Sequence, residues 1–126
     1  MRIYLADHRY APDLLHQPKV EVTHWLALKR SDGALHLSVQ LPSGPLRVST
    51  PLVALIPGQL TLITESGRHY RVPAQPVSEA HALAPLFANA AACGLGEVTD
   101  VSSSVWHALK TGQWPTQEHA LVSWLQ

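Results

Sequence analysis

Apolar and polar residues alternate in short runs over the first 75 positions, and clusters of Gly, Pro, Ser and Asp interrupt them. Alternation over four to eight residues is the mark of a half-buried strand. In the first long run Val20, Val22, His24, Leu26 and Leu28 fall on one side, and Glu21, Thr23, Trp25 and Ala27 on the other. Ser31-Asp32-Gly33 is turn chemistry, after which Leu35, Leu37, Val39 and Leu41 resume the pattern. Pro42-Ser43-Gly44-Pro45 turns the chain into Leu46-Arg47-Val48. Pro51 and Pro57 then bracket the continuous apolar run Leu52-Val53-Ala54-Leu55-Ile56, which reads as a buried strand or a corner. Ile3-Tyr4-Leu5 is short enough for an edge strand or a docked arm.

The stretch from Gln59 to Val72 predicts a hairpin whose register can be argued. A two-residue loop at Ser66-Gly67 would set Ile63 against Tyr70 and split the apolar residues between both faces. A three-residue loop, Glu65-Ser66-Gly67 with Gly67 left-handed, sets Leu62 against Tyr70 and Leu60 against Val72. It leaves Thr61, Ile63, His69 and Arg71 together on a second, more polar face. Half-buried sheets select one register strongly, so the second pairing is expected.

After Pro73 the spacing becomes helical. Ser78 is placed to cap a helix that ends at Gly94, with Pro85 expected to kink or restart it and with Leu83, Leu86, Phe87 and Ala90 on one stripe. Glu97 to Val101 reads as a last short strand. Ser102-Ser103-Ser104 is expected to cap a helix ending at Gly112, and Trp114-Pro115-Thr116 to start another carrying Ala120, Leu121, Trp124 and Leu125. Together these elements predict an α+β fold. Residues 1–75 would form an antiparallel meander of five or six short strands, rolled into a small barrel or curved sheet. Two or three short helices from 76–126 would cap its open end, all within a single domain spanning 1–126.

Composition changes this picture in one respect. The chain has 126 residues and an ordinary apolar fraction of 46%, but only 14% of its residues are charged, against about 25% in typical soluble chains. Ser, Thr, Gln, His and Pro must finish much of the surface, and a covered face or self-association as a homodimer is expected. Zero net charge argues against a blanket attraction to nucleic acid or anionic lipid. The lone cysteine, Cys93, excludes an intrachain disulfide and a thiol-based zinc cluster, and its place in an alanine-rich segment predicts a small buried hydrophobe. The N-terminus meets charge too early for a secretory core, and no apolar run approaches the ~20 residues of a membrane span. A soluble cytoplasmic protein with no membrane association is expected.

Candidate chemistry is sparse. Of the eight histidines, His8, His16 and His24 recur every eight residues, which converges on no ligand geometry, and Asp7, His8, Asp13 and His16 are best read as loop residues. No metal motif, phosphate-cradling glycine loop or nucleophile elbow is present, so no metal or cofactor is expected. A small His-dependent enzyme would need His24 in one cleft with Glu21 or Glu97. A nucleic-acid surface would use Arg47, Arg68, His69 and Arg71 on and around the hairpin. Four tryptophans, Trp25, Trp106, Trp114 and Trp124, are numerous for so few charges, and tryptophan is enriched in binding hot spots. They are the expected contact residues of a non-enzymatic protein-interaction module, a small regulator or inhibitor acting on a macromolecular partner. That is the leading expectation, ahead of nucleic-acid binding and of enzyme activity.

Overall fold

The computed structural model describes residues 3–5 and 19–115. Its strands are β1 (Tyr4–Leu5), β2 (Lys19–Glu21), β3 (His24–Arg30), β4 (Leu35–Gln40), β5 (Leu46–Val48), β6 (Leu52–Ile56), β7 (Thr61–Thr64), β8 (His69–Arg71) and β9 (Val98–Asp100). The helices are α1 (Ala80–Ala92) and α2 (Ser102–Thr111), and a 3-10 turn spans Pro57–Gln59. The fold is α+β, as the alternation predicts, but the strands form two separate sheets and neither closes into a barrel. One has the order β1-β6-β7-β8-β2 and the other β5-β4-β3-β9. The expected all-antiparallel meander is also corrected, because β1 pairs parallel to β6 and β2 parallel to β8.

The hairpin has the predicted register. Leu62 faces Tyr70, Ile63 faces His69 and Thr61 faces Arg71. The Gly67 N–H donates to Thr64 O at 2.8 Å, the Thr64 N–H donates to Arg68 O at 3.1 Å, and Gly67 sits at φ 87°. This is the type I turn with a left-handed glycine that a three-residue loop requires.

The run from Val20 to Leu28 is not one strand. It breaks at Val22-Thr23, where the chain leaves one sheet for the other: the Val22 N–H still donates to Arg71 O, whereas the Thr23 N–H donates to Gln40 O. Alternation carried through that break puts Val20 and Val22 on the wrong side, because both pack into the core that also holds Trp25 and Ala27.

Two apolar cores result. The first takes Leu52, Leu55, Leu62, Tyr70 and Val72 from one sheet, Trp25, Ala27, Leu35, Leu37 and Val39 from the other, and Val105, Ala108 and Leu109 from α2. The second packs Leu26 and Leu28 of β3 against Leu86 and Ala90 of α1. Strand β3 is therefore buried on both faces, α1 covers the face of its sheet that lies opposite α2, and the expected cap over an open barrel end is replaced by this layering. Ser38, fully buried on β4, donates from Oγ to the Leu86 carbonyl at 2.7 Å and ties α1 to the sheet.

Three helix expectations change, two at termini and one at Pro85. Glu79 rather than Ser78 holds the N-cap of α1, with no side-chain hydrogen bond, and the helix runs unbroken through Pro85. Pro85 lies early in the helix, where the missing N–H deprives only the exposed first turn, at His81, of a donor. At the other end Leu95 N–H donates to Ala90 O and Gly94 N–H to Ala91 O, with Gly94 at φ 84°, the paired bonds of a Schellman motif. The serines of α2 do not cap it. Asp100 Oδ1 accepts from the Ser102 N–H at 2.9 Å, while Ser102 Oγ accepts from the Ala27 N–H at 2.8 Å, riveting the helix to β3. Cys93, expected to be buried, is exposed. The helix expected after Trp114, with Trp124, and the loop carrying Asp7, His8, Asp13 and His16 lie outside the described residues. Among the described residues no helix is long and apolar enough to cross a membrane.

Candidate functional site

On the five-stranded sheet, Leu55, Leu62, Tyr70 and Val20 stand in register on the core face. The residues between them make the opposite face. There Ala54, Ile63, His69 and Lys19 form one row across β6, β7, β8 and β2, and Ile56, Thr61, Arg71 and Glu21 form the next. Each row runs from apolar at β6 to charged at β2. Ala54, Ile56 and Ile63 make a small apolar cluster, and a cleft of roughly 320 Å³ is lined by Lys19, Glu21, Gly58, Gln59, Thr61, His69 and Arg71.

This arrangement follows from the hairpin register together with the parallel docking of β2. The register sends Thr61, His69 and Arg71 to one face. The docking sets Lys19 beside His69 and Glu21 beside Arg71, on the sheet edge. Lys19, Glu21 and Arg71 are exposed. Thr61 is buried and its hydroxyl is committed, donating to Gln59 O at 2.9 Å. His69 is 1% exposed, and among the described residues neither of its ring nitrogens has a hydrogen-bond partner. Burial, and then the nearby Lys19 ammonium, hold its pKa below the ordinary value of 6.5, so the ring is biased toward neutral.

The expected contact residues lie elsewhere. Trp25 is 1% exposed, and its indole Nε1 donates to Ala74 O at 2.8 Å. Trp106 is half-buried beside it, with ring centroids 6.2 Å apart at 59° and the Lys110 Nζ 5.5 Å above the Trp106 ring. Trp114 also packs against the first core. Trp25 is thus a core residue, while Trp106 and Trp114 pack against the core and stay half-buried.

Of the nucleic-acid candidates, His69 and Arg71 share the cleft, Arg68 sits in the turn, and Arg47 lies on β5 in the other sheet. The enzyme set is not assembled. His24 is exposed, against the expectation from alternation, with Nδ1 3.2 Å from Thr23 Oγ1, and it lines a cleft with Glu79 and His81. Glu21 lines the His69 cleft, and Glu97 a third one with Lys29 and Arg30. Among the described residues no three His, Cys, Asp or Glu side chains are grouped to hold a metal ion.

Sequence reasoning missed Lys19 altogether, and named Glu21 only as a carboxylate for His24. Their signal was present as alternating charge around Val20, but its partner strand lies about 50 residues away. No protein-family model matches the chain, and no curated protein or solved structure does.

Proposed function

We propose that the protein is a non-enzymatic binding module, a small regulator or inhibitor that contacts a macromolecular partner through the cleft at the β2 edge of the five-stranded sheet, where Lys19, Glu21 and Arg71 are exposed. The observation that carries this reading is the convergence of Lys19, Glu21, His69 and Arg71 on one cleft at the edge strand β2. Charged, exposed side chains on β2, the last strand of this sheet among the described residues, offer the polar contacts that protein partners use. The same geometry weighs against catalysis there. A catalytic imidazole is oriented by a second group on its other nitrogen, and no described residue holds either nitrogen of His69. The partner could be a second copy of the chain. The single cysteine of the sequence keeps a reducing, cytoplasmic compartment part of this reading.

The test is capture by the full chain, compared with Arg71→Ala and with Arg30→Ala on a different cleft, after nuclease treatment and with folding checked by circular dichroism. Light scattering reads self-association in parallel. A protein, or a second copy, bound by wild type and by Arg30→Ala but lost from Arg71→Ala supports the reading. Capture indifferent to Arg71, or no specific capture and a clean monomer, removes it. The second reading, nucleic-acid binding, is favoured by His69 and Arg71 sharing a cleft with Lys19. It requires capture that nuclease abolishes and an affinity that falls steeply with salt.

A further inference from the structure

His69 is the group on this face whose chemistry the fold leaves unanswered. Its ring lines the cleft, it is 1% exposed, and both nitrogens lack partners among the described residues. Buried polar atoms are nearly always paired, and each one left unpaired costs about 1–3 kcal/mol. A phenylalanine would fill the same space without that cost.

The groups around the ring define what would pair it. Lys19 stands in register beside His69, Arg71 lies two residues along on the same face, and Glu21 is the register partner of Arg71. With the imidazole neutral, the two cations and one carboxylate among the described lining residues sum to a single net positive charge. We propose that this cleft binds a carboxylate, the side-chain or terminal carboxylate of an acidic partner segment, held by Arg71 and Lys19 and accepting a hydrogen bond from the His69 ring.

This rests on the reading of the sheet face as a partner surface and names the partner's chemistry. A monoanion neutralises the cleft, whereas a phosphate dianion would leave it negative beside Glu21. The planar guanidinium of Arg71 matches the two oxygens of a carboxylate. Thr61 is not a donor to the ligand, because its hydroxyl proton already goes to Gln59 O. The ring nitrogens are closed to solvent in the unliganded chain. Binding therefore includes a small turn of the ring, or of its exposed neighbours Lys19 and Arg71, that brings an N–H to the oxygen. The fold favours the neutral ring, since burial and Lys19 both lower its pKa. An incoming carboxylate opposes both effects and raises it.

The experiment is a titration of the full chain with acetate, followed in imidazole ¹H–¹⁵N correlation spectra, with the His69 signals assigned by their loss in His69→Phe. The expected result is a saturable shift of the His69 signals, with half-saturation on the order of 10 mM for so small a probe. An upward move of the His69 titration midpoint should accompany it. Both responses should weaken several-fold in Arg71→Ala, whose altered side chain is exposed and leaves the core intact. Acetyl-glutamate amide and acetyl-alanine separate a side-chain from a terminal carboxylate, and a response to either supports the proposal.

No saturable shift of His69, or an equal shift in Arg71→Ala, overturns the proposal. A response to inorganic phosphate without one to acetate also overturns it, and points instead to phosphate ligands such as nucleic acid. Acetate binding with partner capture indifferent to Arg71 would remove the partner surface and keep the anion site. Capture that depends on Arg71 without an acetate response would do the reverse.

Discussion

Replacing Trp25 with alanine separates a core role from a contact role. The indole lies in the first core, which also holds Leu37, Val39 and Tyr70, donates to Ala74 O at 2.8 Å, and tilts against Trp106. The backbone of Trp25 also accepts from the Val77 N–H at 3.3 Å, so this one residue fixes both ends of the 74–77 segment that leads to α1. Truncating a buried tryptophan to alanine costs about 3–5 kcal/mol, and the lost aromatic pair and hydrogen bond are contained within that figure. Total stability of a domain is about 5–15 kcal/mol, so the variant should be much weakened or unfolded. Tm should fall by roughly 10–25 °C. Trp25→Phe keeps most of the packing and loses the indole N–H, which leaves the Ala74 carbonyl unpaired, for about 1–2 kcal/mol. Urea unfolding followed by circular dichroism reads both. An alanine variant that keeps its midpoint while losing a partner would place Trp25 on a contact surface and refute the core assignment.

Three smaller perturbations test other parts of the fold. Gly67→Ala, at φ 87° in the hairpin turn, should destabilise by about 1 kcal/mol; a neutral result in urea unfolding would sink the three-residue loop. Ser102→Ala removes the acceptor of the buried Ala27 N–H and should cost about 1–3 kcal/mol, with amide exchange fastest at the β3–α2 contact; unchanged stability would mean that the rivet carries no load. The pH dependence of stability should contain a contribution from His69. Its folded pKa lies below the ordinary 6.5, so on acidification the unfolded chain takes up the proton first. The stability contribution is complete above pH 6.5 and is lost as the pH falls through that value toward the folded pKa. His69→Phe should flatten this part of the profile, and an identical profile in the variant would contradict the depressed pKa.

The parts of the fold legible in the sequence are those set by neighbours. The hairpin register could be read because a single turn residue and one alternation decide it together. The Gly94 and Gly112 helix ends could be read because a left-handed terminus selects glycine, and both take positive φ, 84° and 76°. What could not be read depends on distant pairing. Alternation from Val20 to Leu28 is continuous on paper, yet the chain changes sheets at Val22-Thr23, and local pattern holds no information about which strand receives each half. Burial of β3 on both faces has the same origin. A strand with Trp25 and Ala27 on one side and Leu26 and Leu28 on the other signals that both are covered, but not that α2 and the second sheet take one side and α1 the other.

The cleft shows the same limit with a functional consequence. His69 and Arg71 are legible in the sequence as neighbours on the more polar face of the hairpin. Parallel docking of Lys19–Glu21 adds their charges to that face, where His69 and Thr61 are buried and line a cleft with them. Such pairing rewards a contact only after a loop of some 50 residues has closed, so nothing local announces it. The stability side of His69→Phe therefore separates a structural imidazole from a binding one. A histidine kept for packing would make the phenylalanine variant less stable. A histidine whose two nitrogens wait for a ligand predicts that phenylalanine is neutral or stabilising at pH 8, because it removes two unpaired buried polar atoms. Partner capture through the cleft would weaken at the same time. Stability gained with binding lost is the pattern expected where a fold carries an unsatisfied group for the sake of a site.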